Sequence, residues 1–138
     1  MISNSKLDKI GEKIKKGEEL QFSEVQSLQD WRNSFISVLD YYHDRVVEKI
    51  ESKTISSIGK RLKRIPSIQI KLKRSKTLRL SAMQDVAGLR VVLDNQENLQ
   101  IAVNAVRSSK SKNALKKMFD YHHRPKDDGY RSVHLVYQ

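Results

Sequence analysis

Tyr130, Ser132 and His134 stand two residues apart, directly after the turn Arg124-Pro125-Lys126-Asp127-Asp128-Gly129. Pro125 and Gly129 bracket three polar residues, so the backbone can bend sharply there. Beyond the turn, Tyr130, Ser132 and His134 alternate with Arg131, Val133 and Leu135, which puts the first three on one face of a strand. An aromatic ring, a hydroxyl and an imidazole then stand beside a turn that carries Arg124 and Lys126. That set suits a purine with a phosphate tail: the ring stacks and the cations hold charge. The same pattern also fits an ordinary hairpin with a solvated edge.

A second concentration of chemistry is electrostatic. Lys53, Lys60, Arg61, Lys63, Arg64, Lys71, Lys73, Arg74, Lys76 and Arg79 fall between Ser52 and Gln84, a segment without Asp or Glu. The other residues carry 17 of the 27 basic groups against all 16 acidic ones, so ten of the eleven excess charges lie in this one segment. A phosphate-bearing partner explains such clustering better than general solubility does. A solvated basic face is the plain alternative. A membrane-contact patch would need an amphipathic anchor or a lipidation signal, and neither accompanies it.

These groups must be positioned by a small fold. A chain of 138 residues with 38% apolar content supports one modest core. Residues 3–16 are predicted helical, with Leu7, Ile10 and Ile14 on one face and Gly17 as the stop. A longer helix is predicted from Ser23 as cap, with Gln26 at the capping-box position. Its stripe is Val25, Leu28, Trp31, Phe35, Val38, Leu39, Tyr42, Val46 and Ile50. Spacing over Thr54 to Ile65 fits a helix or a twisted strand. Pro66 starts a helix through Ile68 and Leu72. Gly88 to Leu93 reads as a strand ending at Asp94-Asn95, residues 97–108 as a helix, and 108–112 as a polar loop. Met118 to His122 and Tyr130 to Gln138 are strand-like. Helices alternating with strands predict an α/β (α+β) fold, a mixed β-sheet flanked by helices. The expected division is an N-terminal helical segment, 1–22, followed by a domain from 23 to 138.

Other chemistries are excluded or unsupported. Without cysteine there is no disulfide or thiolate metal site. His122 and His123 are adjacent, poorly placed to share one metal, and are read as non-ligands. No apolar run suits a signal peptide or a membrane span, so a cytoplasmic protein without membrane contact is expected.

Three stretches in series carry a family resemblance: Arg61-Leu62-Lys63-Arg64-Ile65-Pro66-Ser67-Ile68-Gln69-Ile70-Lys71-Leu72-Lys73-Arg74, then Met83-Gln84-Asp85-Val86-Ala87-Gly88-Leu89-Arg90-Val91-Val92, then the turn and strand described first. In this order and spacing the chain resembles the synthetase domain of the RelA/SpoT family, from about residue 27 onward. Ser27-Leu28-Gln29-Asp30-Trp31-Arg32-Asn33-Ser34 also resembles the small single-domain members, including a toxic branch that modifies tRNA. The resemblance implies a nucleotidyltransferase-like synthetase fold with N-terminal helices. It implies Mg²⁺-dependent pyrophosphate transfer from ATP to the 3′-hydroxyl of GDP or GTP, giving ppGpp or pppGpp.

The roles below are what that resemblance implies. Arg61 and Arg90 correspond to arginines that sandwich adenine through flat guanidinium groups. Lys63, Lys71 and Arg74 correspond to residues on the donor phosphates, and Ser67 completes the expected ATP-binding set. Asp85 corresponds to the catalytic carboxylate that binds Mg²⁺, although the residue by itself reads as a helix cap or surface charge. Tyr130 corresponds to the ring on which guanine stacks, with Lys126, Arg131 and His134 as further acceptor-binding positions. The family pattern continues into a strand with a glutamate in a Glu-x-Gln-x-Arg context, and this sequence has no such motif. A C-terminally truncated synthetase, inactive or weakly active as it stands, is therefore expected. Its sheet edge would be open to self-association. Two alternatives remain: the same transfer to the 3′ end of tRNA, with an antitoxin as partner, and a non-catalytic nucleotide- or RNA-binding fragment.

Overall fold

The computed structural model of the chain describes residues 2–138. The first predicted helix forms as α1 (Asn4–Lys16), with Ser3 as N-cap accepting the Lys6 N–H. Gly17 closes it at φ 73°, a left-handed conformation that favours glycine. Lys13, Lys15 and Lys16 fill the last turn, where cations meet the negative end of the helix dipole.

The single long helix expected from Ser23 to Ile50 is two abutting helices, α2 (Phe22–Asn33) and α3 (Phe35–Lys49). The start differs too: Gln21, not Ser23, is the N-cap, and the Glu24 carboxylate accepts the Gln21 N–H at 2.9 Å. Glu24 also pairs with Lys13 at 2.7 Å, tying α2 to α1. At the junction the Ser34 hydroxyl donates to the Trp31 carbonyl at 2.6 Å. A short polar side chain competing for backbone groups explains the interruption.

The ambiguous stretch resolves into strand β1 (Ile55–Leu62), and β2 (Ala87–Leu93) pairs with it. Between them lie α4 (Ile65–Arg74), opened by Pro66, and a single 3₁₀ turn at Leu80–Ala82. After β2, Asn95 caps α5 (Gln96–Ser108) by accepting the Asn98 N–H at 2.9 Å. Strands β3 (Leu115–Asp120) and β4 (Val133–Tyr137) form an antiparallel pair with Phe119 opposite His134 and Asp120 opposite Val133. The α+β class holds, with the strands joined as these two pairs.

The chain divides into two units. One comprises the residues up to Arg45 together with Ile58–Val91; the other comprises Val46–Ser57 and Val92–Gln138. The first has a closed core built from Leu7, Ile10 and Ile14 of α1, Leu28 of α2, Ile68 and Leu72 of α4, and Leu80, Met83 and Val86 beyond them. Trp31 and Phe35 pack against it edge to face, 5.5 Å between ring centres, as the apolar stripe predicts. In the second unit Ala102 and Val103 of α5 are buried, and no residue after Val103 is.

Candidate functional site

Within the first unit, Asp85 draws together two of the expected phosphate-binding lysines. Its Oδ1 accepts from Lys71 Nζ at 2.6 Å and its Oδ2 from Lys63 Nζ at 3.1 Å. Each lysine arrives from a different element. Lys71 sits one turn after Ser67 on α4, whose buried face (Ile68, Leu72) turns Lys71 outward. Lys63 lies just past β1, where its backbone is fixed twice: its N–H donates to the Val86 carbonyl at 2.7 Å, and its carbonyl accepts from Arg32 Nε at 2.7 Å. Lys63 is the enclosed member, its side chain 15% exposed against 42% for Lys71.

Burial of the Asp85 carboxyl pushes its pKa up, but hydrogen bonds and charge from Lys71 and then Lys63 outweigh this and hold it below the ordinary carboxylate value. The result is an ionised acid between two ammonium groups, a net positive site on a partly open surface. Arg61 on β1, Arg90 on β2 and Arg74 at the end of α4 are all exposed and enter no ion pair among the described residues. Arg61 and Arg90 stand on paired strands, whereas Ser67 stays half-buried in the first turn of α4.

Asp85 is an oxygen ligand of the hard type that Mg²⁺ takes. Such ions are commonly held by one or two carboxylates while substrate phosphates and water fill the remaining positions. Among the described residues no group of three ligating side chains surrounds it. The donor set therefore fits a magnesium ion that arrives with a phosphate ligand.

In the second unit, the β3–β4 connection gathers residues expected on the acceptor side. The Gly129 N–H donates to the Lys126 carbonyl at 2.8 Å, closing a turn over Asp127 and Asp128, and Gly129 takes φ 81°. Asp128 Oδ1 then accepts the Tyr130 N–H at 3.0 Å. Although β4 begins only at Val133, Tyr130 and His134 share a face as expected: the Tyr130 hydroxyl and His134 Nε2 are 2.9 Å apart. Burial first, and the Lys126 charge second, lower the His134 pKa, so the neutral imidazole is favoured.

Tyr121 is a residue that sequence reasoning passed over. Its ring lies edge-on to Tyr130 (6.1 Å) and to His134 (5.4 Å), and Lys126 Nζ sits 4.7 Å from its centre and 5.3 Å from that of Tyr130. The Tyr121 N–H donates to the Ser132 carbonyl at 2.8 Å, which extends the ladder by one rung and brings the ring into place. Strand-like character around Met118 to His122 was the available signal, but pairing register was not. The Ser132 hydroxyl oxygen is buried without a partner among the described residues. Tyr121, Arg124, Pro125, Lys126, Asp127 and Asp128 line a depression of about 510 Å³, and Arg131 is exposed nearby in sequence. His123 pairs with Asp120 at 2.7 Å, and Asp120 also accepts the His122 and His123 N–H groups, so this acid orders the turn after β3.

The α+β scaffold thus carries a cationic carboxylate site in its first unit and an aromatic–basic hairpin in its second. Residues 60–138 match the family described as the region found in RelA/SpoT proteins, and the chain belongs to that family. Among solved structures it is similar to small alarmone synthetase 1 from Bacillus subtilis bound to its product pppGpp (TM-score 0.67, 23% identity, 79% of this chain and 64% of that one). It is also similar to small alarmone synthetase 2 from the same organism (TM-score 0.62, 26% identity, 78% and 61%). A GTP pyrophosphokinase family protein from Streptococcus pneumoniae shares the fold (TM-score 0.56, 23% identity, 82% and 55%). The chain thus spans less than two thirds of the length of these relatives. No curated protein sequence matches it, and no described helix is long and apolar enough to cross a membrane.

Proposed function

We propose that the chain carries the nucleotide-binding groups of a (p)ppGpp synthetase, an enzyme that moves pyrophosphate from ATP to the 3′-hydroxyl of GDP or GTP. In this reaction the acceptor's 3′-oxygen bonds to the β-phosphorus of ATP, the bond from that phosphorus to the α,β-bridging oxygen breaks, and AMP leaves. Such transfers need positioning and charge neutralisation more than covalent help from the protein. The observation that carries the reading is Asp85 held between Lys63 and Lys71 in a member of this family. Lys63, Lys71 and, at the two ends of α4, Ser67 and Arg74 would take the donor's phosphates, and Arg61 and Arg90 its adenine. Asp85 would hold Mg²⁺, which supplies charge neutralisation at the phosphates when bound.

On the acceptor side Tyr130 would stack on guanine, and Lys126, Arg131 and His134 would contact the rest of the nucleotide. The relative that holds pppGpp supports this choice of product. The test uses β-labelled ATP and Mg²⁺ with GDP, GTP or tRNA, on this chain and on a version extended by a strand bearing Glu-x-Gln-x-Arg. Label on guanosine nucleotide is expected, stronger in the extended version, and abolished by Asp85→Asn. Label on tRNA would replace the acceptor, and binding without transfer in both forms would leave a nucleotide-binding module only.

A further inference from the structure

The segment that delivers Asp85 has little regular structure of its own. From Ser75 to Val86 the backbone contains one 3₁₀ turn and no strand, and its last residue is tied to the end of β1 by the Lys63 N–H to Val86 carbonyl bond at 2.7 Å. The stretch before that is held by one stripe of α1. Lys15 Nζ donates to the Lys76 carbonyl at 3.1 Å. Gly11 meets Leu80 so closely that a Cβ at Gly11 would lie 2.8 Å from the Leu80 Cβ. Asp8 takes Ser81 with both oxygens, Oδ1 from the backbone N–H and Oδ2 from the hydroxyl, each at 2.9 Å. Asp8, Gly11 and Lys15 are spaced as neighbours along one helix face, and their contacts run along the segment in antiparallel order. Met83 and Val86 then anchor in the core that α1 shares, leaving Asp85 between them on the surface.

We infer that α1 is a positioning element of the Lys63–Asp85–Lys71 site, and that Asp8 is its positioning residue, acting through Ser81. The inference rests on the donor-site reading above and adds to it a residue outside the family match at 60–138. Asp8 touches neither lysine nor Asp85; it sets the register of the segment against α1, and the register sets the distance from the carboxylate to Lys63 and Lys71. A fastener that only stabilised the fold would affect every ligand of the unit alike. A positioning residue affects the phosphate end alone.

The test compares ATP with adenosine on the folded full chain in Mg²⁺, by calorimetry for ATP and chemical-shift titration for adenosine. Asp8→Ala should weaken ATP on the order of tenfold while leaving adenosine unchanged, the size expected for losing a charged hydrogen-bond pair. Ser81→Ala keeps the backbone bond to Asp8 and should cost roughly threefold. Ser81→Thr, which keeps the hydroxyl, should restore wild-type binding. The Ser81 pair decides the matter should Asp8→Ala fail to fold. Equal loss for both ligands, or no loss for either in a folded variant, overturns the inference. Wild-type chain binding ATP no more tightly than adenosine would instead overturn the donor-site reading, and this inference with it.

Discussion

Asp85 stands on a segment pinned at Met83 and Val86 into a closed core; Lys71 reaches it from helix α4, which has a buried face, and Lys63 from a backbone fixed by Val86 and Arg32. Tyr130 stands at the end of a turn, in a region where no residue is fully buried and Leu115, Met118 and Phe119 are more than a third exposed. The first unit places charge by packing. The second places rings by contact with one another and with Lys126. The difference matches what each group would do under the proposed function. An ionic group in a fixed position stabilises a developing phosphate charge only if it does not have to reorganise. A stacking ring tolerates adjustment, because any purine face will serve.

Breaking the first region should have the largest consequence. Asp85→Asn removes the carboxylate and is expected to lower transfer by roughly three orders of magnitude in the extended form, with the fold kept. Unchanged turnover of labelled ATP in that variant would remove Asp85 from the reaction. Next in size is the packing beneath it: Ile68→Ala or Leu72→Ala, both fully buried, should cost about 2–5 kcal/mol in denaturant unfolding. Truncating Val136, which is only half-buried, should cost less than either. Equal losses would erase the contrast between the two regions.

Tyr130→Ala should weaken guanosine nucleotide by about 1–3 kcal/mol and leave ATP alone. The smallest effect is on pH. His134 has its pKa lowered from 6.5, by burial first and by Lys126 second, so the folded hairpin favours the neutral ring. Its contribution is whole above that value and is lost as pH falls through the lower folded one. Asp85 is shifted down from 3.8, because Lys71 and Lys63 outweigh burial, so its contribution is present above 3.8 and lost only as pH falls through a still lower value. Between about pH 8 and about pH 5, the stability of the folded chain should therefore show a small decline from this ring, and that component should vanish in His134→Gln. Asp85 should add no counterpart in that range.

Much of the scaffold was legible in the residues. Leu7, Ile10 and Ile14 with Gly17 specify α1 because apolar spacing and a left-handed stop agree, and Pro66 with Ile68 and Leu72 specifies α4 likewise. The split at Ser34 was not legible, since the apolar stripe runs through it and only a side-chain bond to Trp31 marks the junction. Of the site, Asp85, Lys63 and Lys71 are distant in sequence, and their meeting depends on the tertiary core; motif resemblance grouped them where periodicity had no means to. Arg32, which fixes the Lys63 carbonyl, and Tyr121, which touches both Tyr130 and His134, were missed for the same reason. Arg32 acts across a helix-to-loop contact, and Tyr121 across a strand pairing whose register no local pattern encodes.

The most direct test of the account is a crossed titration in Mg²⁺: ATP and GDP, each against Lys63→Met/Lys71→Met and against Tyr130→Ala. The double lysine variant should lose ATP and keep GDP, and the tyrosine variant should lose GDP and keep ATP. Each variant weakening both nucleotides to the same extent would contradict the division of labour between the two regions.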